Sequence, residues 1–459
     1  LLEGSYRSGA AVPPAGSRDA RAGHADVLPV PGGLRHRIED RKGWGREELP
    51  IQVICIYCRH FSCIIDGMTS IYDRMIEPPR QSFFLLGMRG AGKSTWVRTA
   101  LPHALYLDLL DESLYRDLLA DPSLFGQSIE HLSRDDWVVV DEIQRLPMLL
   151  NEVHRFIESH GLRFALLGSS ARKLKAAGVN LLAGRALYKT MFPLAAAELG
   201  TDFDLDRVLR YGALPLVWTS EEPAASLEAY TQLYLREEIR AEALVRNLPG
   251  FVRFLPIAAL FNGQTINVAG IARDAGVART TVQSYLEILE DTLLTYRLPA
   301  FETRMRTRER KLPKLYWVDP GVVRAVKRQF GEVTAEERGP LLESWLLTTL
   351  RAHAEVSTGA RKEGSRPYDE IAYWSPHQSG AEVDFLLRRG RRRLAIEVKA
   401  TNRYHTGLLK GLRAIQTLPG LARRLLVYTG RRSFRSADGI EIWPARRFAD
   451  AVAKGRLWD

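Results

Sequence analysis

The chain has 459 residues, 46% of them hydrophobic and 26% charged, which suits a water-soluble globular protein of several domains and excludes collagen-like or low-complexity classes. No apolar run reaches the length of a bilayer, since the nearest, Ile51 to Ile65, is interrupted by Arg59 and His60. Leu1 to Ala20 lacks the basic start and apolar block of a secretory signal, so no membrane role and a cytoplasmic setting are expected. Of the formal net charge of +11, +10 lies beyond residue 67, which favours an anionic partner such as DNA.

Residues 1–67 are rich in Gly, Pro, Arg and Ala without sustained periodicity, and the expectation is a disordered or non-native leader. Met68 opens a segment, Met68 to Met75, that reads as a natural start. Cys55, Cys58 and Cys63 with His60 offer four zinc ligands within nine residues, but ligands this crowded leave too little chain to wrap a tetrahedral ion. Reduced, non-structural thiols are the expectation.

Residues 68–204 alternate short apolar runs with helical stretches: Phe83 to Leu86, Leu105 to Leu109, Trp137 to Val140 and Phe164 to Leu167. That pattern predicts an α/β core with a parallel sheet covered on both faces. Between the first strand and its helix lies Gly87-Met88-Arg89-Gly90-Ala91-Gly92-Lys93-Ser94-Thr95, a P-loop. Its glycines let backbone amides turn inward on phosphate oxygens at a helix N-terminus. Lys93 is the candidate for the β- and γ-phosphates of ATP, and the Ser94 hydroxyl for Mg²⁺.

The strand Trp137 to Val140 ends in Asp141 and Glu142, the Walker B pair: Asp141 for the Mg²⁺ shell, Glu142 to polarise the lytic water. Phe164 to Leu167 leads to Ser169 and Ser170, where AAA-type ATPases place a polar group that orients the water; a helix-capping turn is the alternative. Arg185, then Arg89, are candidates for the arginine that neutralises charge on the γ-phosphate, and surface ion pairing is the alternative for both. If that arginine acts between subunits, the protein is a homo-oligomer of at least two chains.

Residues 205–250 turn helical and charged and are expected to form a small lid. Residues 251–311 suggest a winged-helix-like connector, with the Gly276 turn between two short helices and an extended segment after them. Arg273, Arg279 and Thr281 would face DNA in one use of such a module, and protein docking is the other. Residues 312–459 return to strands and helices. There Asp384 ends one strand motif, and alternation puts Glu397 and Lys399 on one face of the next, with Glu343 on an amphipathic helix as a third acid. Such a set suits Mg²⁺-assisted attack on a phosphodiester, although a cross-strand salt bridge uses the same residue types. The Arg388 to Arg393 turn reads either as a grip on a phosphate backbone beside that metal or as a solvated basic hairpin.

Taken with Leu182-Ala-Gly-Arg185, Phe192-Pro-Leu194, Glu198, Leu315-Tyr-Trp-Val-Asp319-Pro-Gly321 and Glu382-Val-Asp384-Phe385, these motifs resemble the prokaryotic AAA-like ATP-binding proteins that end in a widespread domain of unknown function. The resemblance implies an ATPase from about Ser70 onward whose C-terminal domain is similar to the PD-(D/E)xK nuclease fold. Three roles follow as expectations: a nucleotide-driven switch linked to nucleic acid, an ATP-gated nuclease using Glu343, Asp384, Glu397 and Lys399, and a signalling or scaffold ATPase that docks a protein partner.

Overall fold

Strand β1 (Phe83–Gly87) is buried along its whole length, and its alternating side chains serve two cores at once. Phe83 and Leu85 pack with Trp96 and Val97 of the helix Lys93–Ala100, while Phe84 and Leu86 face Leu149, Val153 and Phe156 of the helix Leu149–His160. Around β1 run β2 (Leu105–Asp108), β3 (Trp137–Asp141), β4 (Arg163–Gly168) and β5 (Leu187–Met191), all parallel in the order β2-β3-β4-β1-β5. This is the expected sheet plus one strand. Strand β5 lies at the edge with Leu187 and Tyr188 exposed, so it shows no continuous apolar run for sequence reasoning to catch.

The computed structural model describes residues 72–459 except 171, 173–181, 183, 235–246, 302–311, 358–365 and 377–379. The expectations for the leader and its cysteines fall outside the described residues, as does the end of the helical stretch before residue 247. The described residues all belong to one compact unit, Met68–Asp459. Among them, no helix is long and apolar enough to cross a membrane.

Short helices Leu205–Tyr211, Pro215–Trp218 and Pro223–Ala229 follow the first sheet. Beyond them, the helix Leu248–Leu260 packs on the pair Val268–Ala275 and Arg279–Asp291, which meet at Gly276 in the left-handed conformation, φ 64°. Strand β7 (Thr295–Leu298) then enters an antiparallel sheet with β6 (Gln264–Thr265) and β8 (Lys314–Trp317), ordered β6-β8-β7. The division drawn from sequence between residues 311 and 312 therefore cuts across a sheet, because β8 hydrogen-bonds backward to β6 and β7.

The C-terminal part opens with the helix Ala335–Ser357 and holds a mixed sheet: β9 (Glu370–Trp374), β10 (Val383–Arg389), β11 (Arg392–Lys399), β12 (Leu421–Tyr428), β13 (Phe434–Arg435) and β14 (Glu441–Pro444), ordered β13-β14-β12-β11-β10-β9. Strands β9, β10 and β11 are antiparallel neighbours, and β12 runs parallel to β11 after the helix Lys410–Ala414. One face of this sheet, with Phe385, Leu387, Leu394 and Ile396, joins the core that holds Leu346 and Leu350 of the long helix. The other, with Leu386 and Ala395, packs on Leu409 and Leu412.

Candidate nucleotide site and a buried acidic cluster

Gly90 and Gly92 take φ of 76° and 87°, where an L side chain is strained, and the helix begins directly at Lys93. The loop can therefore wrap a phosphate while its last amides continue into the helix N-terminus. Lys93 is buried and lies back over the loop, its Nζ donating to the Gly87 carbonyl at 2.7 Å and the Met88 carbonyl at 3.2 Å. Ser94 Oγ donates to Asp141 Oδ2 at 2.6 Å. The hydroxyl and carboxylate assigned to one Mg²⁺ shell thus meet across two elements 47 residues apart in sequence, so this donor pair fits the ion.

A cleft of about 670 Å³ opens over the loop, lined by Arg89, Lys93, Ser94, Thr95 and Glu142 on one side and by Tyr72, Leu194, Pro215 and Leu216 on the other. Glu142 has the left-handed φ of 58°, which turns it out of β3 into this cleft. Gln144 donates through Nε2 to Glu142 and, at 3.1 Å, to Ser169 Oγ. One amide therefore links the Walker B acid to the serine at the end of β4. Ser169 is thereby placed with Glu142, whereas Arg185 stands on the surface in an ion pair with Glu158 and takes no part in lining the cleft.

Two contributors, Tyr106 and Arg74, escaped the sequence reading, and a third, Asp319, entered it only as a residue of the family resemblance. Tyr106 on β2 donates its hydroxyl to Asp141, and burial followed by the Asp141 charge pushes that phenol well above its ordinary range. Arg74 donates to the Ala91 carbonyl of the loop at 2.7 Å, to the Phe192 carbonyl at 2.6 Å and to Glu198 at 2.9 Å. Both partners of that ion pair are almost fully buried. Asp319 accepts from Ala213 N at 2.8 Å and Val322 N at 3.0 Å, and burial raises its pKa to about 6. It holds the chain at Gly212 to Leu214, and two residues later Leu216 N reaches the Gly90 carbonyl. The Arg74–Glu198 pair spans 124 residues and carries no local pattern; Asp319 shows its helix-capping position before Pro320, but not its distant partner.

In the C-terminal sheet, Phe385 faces Ile396, so Asp384 and Glu397 are cross-strand neighbours, and the antiparallel register does bring them together. Asp384 accepts from Val398 N at 2.8 Å, Glu397 pairs with Lys399 at 2.6 Å, and Tyr316 donates to Glu343 at 2.7 Å. Lys314 of β8 pairs with Glu382 and lies 3.8 Å from Asp384. Burial, reinforced by the Asp384 charge, raises Glu343 and Glu397 to about 8. Burial also lowers the proton affinity of Lys314, but the surrounding carboxylates outweigh it and hold that ammonium above its usual value.

Two expectations change here. Glu343, Asp384 and Glu397 were read as ligands of one Mg²⁺, yet among the described residues no three acidic, histidine or cysteine side chains gather as a metal cluster. Lys314 lies 3.8 Å from Asp384, and Lys399 pairs with Glu397 at 2.6 Å. The arginine-rich turn does not stand beside these acids either. It closes the far end of the β10–β11 hairpin, five residues along each strand or about 17 Å away. Among its arginines, Arg388 pairs with Glu370, Arg392 lies over the Trp458 ring and Arg393 donates to the Pro419 carbonyl.

Comparison with known proteins finds family matches along three stretches of the chain. Residues 79–200 match the AAA domain family, residues 202–332 a domain of unknown function (DUF8612), and residues 338–448 another (DUF4143). An uncharacterized protein of Mycobacterium tuberculosis is 26% identical over 367 residues, 79% of this chain and 79% of its own length. One from Haemophilus influenzae is 23% identical over 343 residues, 66% of this chain and 84% of its own. Among solved structures, the Aeropyrum pernix ORC1 protein in complex with DNA aligns at 15% identity over 55% of this chain and 87% of its own, with a TM-score of 0.24. The N-terminal sheet is an AAA-type nucleotide-binding domain of the P-loop class.

Proposed function

We propose that this protein is an ATP-hydrolysing AAA-type switch linked to nucleic acid. The observation that carries the reading is the meeting of Lys93, Ser94 and Glu142 at one cleft, with Asp141 accepting from Ser94 and Gln144 holding Glu142 to Ser169. Loop amides and Lys93 bind the β- and γ-phosphates, and Lys93 must leave the Gly87 and Met88 carbonyls to do so. Ser94 and Asp141 would hold Mg²⁺, which neutralises phosphate charge when bound. Glu142 accepts the proton of the attacking water, oriented by its bond from Gln144.

The same cleft has a physical route to the C-terminal half. Pro215 and Leu216 form its wall, Asp319 anchors the residues just before them, and Asp319 follows β8, whose Lys314 and Tyr316 hold the acidic cluster. A shift of that wall on nucleotide binding therefore pulls on β8. Because no three acidic side chains among the described residues gather as a metal cluster, a nuclease-like fold used to bind nucleic acid is favoured over one that cuts it.

The test is Mg²⁺-dependent ATP hydrolysis by wild type, Lys93→Ala and Glu142→Gln, each with and without double-stranded DNA. Hydrolysis by wild type alone, stimulated by DNA, is the expected result. Wild-type hydrolysis indifferent to DNA would remove the nucleic-acid link and leave the protein-docking role, and undiminished hydrolysis by either variant would refute the site.

A further inference from the structure

We infer that a basic, aromatic-edged cleft at the C-terminal ends of β11 and β12 binds a single strand of nucleic acid, an inference that rests on the nucleic-acid link proposed above. The cleft has a volume of about 920 Å³ and is formed by the segments that leave the two parallel strands, residues 400–404 and 428–432, with Phe434 at its edge. Lys399 and Tyr428 are register partners at those strand ends, and Thr429 N bonds the Thr401 carbonyl at 3.2 Å, so the two segments are tied side by side. Ligands of sheets with parallel strands commonly sit outside the carboxyl ends of those strands.

Charge decides the class of ligand. Arg338, Arg403, Arg431 and Arg432 line the cleft against the single carboxylate of Asp206, and Arg338 already pairs with it. Arg403, Arg431 and Arg432 are exposed and form no ion pair with any described residue. This contrasts with Arg388, Arg392 and Arg393 of the hairpin at the other end of β11, whose side chains are engaged. The backbone carrying these arginines is fixed: Tyr428 Oη donates to the Arg432 carbonyl at 2.7 Å and accepts from Arg432 N at 3.2 Å, and Arg403 N donates to Thr401 Oγ1 at 3.2 Å. Three uncommitted guanidinium groups on two anchored loops suit a row of phosphates.

The aromatic edge selects a single strand over a duplex. Phe434 is 38% exposed and held edge-on by Tyr404, with ring centroids 4.8 Å apart and planes at 85°. Phe434 thus presents ring surface beside the arginines, where an unstacked base can lie, and stacked bases of a duplex offer no face to it. The cleft starts at Ala400, next to Lys399 of the acidic cluster, so a bound strand would run past the segment that β8 connects to the nucleotide site.

Fluorescence anisotropy of the full chain with labelled oligothymidylate and oligouridylate of about 20 nucleotides, longer than the roughly 4–16 that one small domain covers, tests this. Titrations run between about 50 and 200 mM salt, with ATP hydrolysis and thermal unfolding of the same preparations measured alongside. The expected result is binding in at least one arm, the tighter arm identifying the sugar. Arg403→Ala/Arg431→Ala/Arg432→Ala should weaken it at least tenfold and reduce the salt slope by about 2, at roughly 0.7 per lost phosphate contact. Phe434→Ala should weaken it about tenfold at an unchanged slope. Unaltered affinity in the folded triple variant, equal affinity for a duplex with no effect of Phe434→Ala, or equal displacement by polyglutamate would overturn the proposal, the last in favour of an acidic protein partner. Missing oligonucleotide binding with intact ATP hydrolysis refutes the cleft alone, whereas binding that depends on these residues without hydrolysis refutes only the ATPase reading.

Discussion

Replacing Asp319 tests whether the wall of the nucleotide cleft is held from the C-terminal half. The side chain is 1% exposed, and Asp319→Ala would leave the buried N–H groups of Ala213 and Val322 without their acceptor. At about 1–3 kcal/mol for each orphaned donor, the loss is about 4 kcal/mol, large against the stability of an ordinary domain. Asp319→Asn keeps the volume and one acceptor and should lose about half as much near neutral pH. The two also differ in pH dependence. Burial raises the folded pKa from 3.8 to about 6, so the folded state holds this proton more tightly. The associated stability is complete below about 3.8 and is lost as pH rises through about 6, a change of about 3 kcal/mol. The wild type should therefore exceed Asp319→Asn most near pH 4, with the gap narrowing toward pH 7. Urea unfolding across this range, with the KM for ATP, provides the assay. An Asp319→Ala protein within about 1 kcal/mol of wild type at pH 7, with an unchanged KM, would refute the anchoring role.

Arg74→Ala removes one partner of a buried ion pair and a support of the loop, so a loss of about 3–5 kcal/mol and a raised KM for ATP are expected from denaturation and steady-state kinetics. Gly92→Ala places a side chain at φ 87°, which should cost about 1–2 kcal/mol and weaken nucleotide binding measured by calorimetry, without disturbing the C-terminal sheet. Glu397 is raised to about 8 by burial and then by Asp384, so its folded form favours the proton, and stability should fall as pH rises from about 4.5 through 8. Glu397→Gln should therefore be more stable than wild type by about 1 kcal/mol at pH 8.5, with the difference shrinking toward pH 5 in thermal unfolding.

The nucleotide site was legible because its chemistry is local. The run from Gly87 to Ser94 needs glycines at fixed steps between a strand and a helix, and the strand before Asp141 is apolar on both faces, so each declares itself within a few residues. Asp384 and Glu397 were legible as a pair for a similar reason, since a short hairpin sets their register. That same register put the arginine-rich turn at the far end, a consequence of strand direction that residue counting alone passed over. Tertiary structure decided what depends on distant partners: β8 joining β6 and β7, Arg74 bracing the loop from across 124 residues with Glu198, and Asp319 fastening Gly212 to Leu214. It also decided that Lys314 stands among the acids and that Arg403 and Arg432 share a cleft. Periodicity and spacing encode what a segment does with its own neighbours. Which buried charge meets which is settled only when packed elements remove water from both.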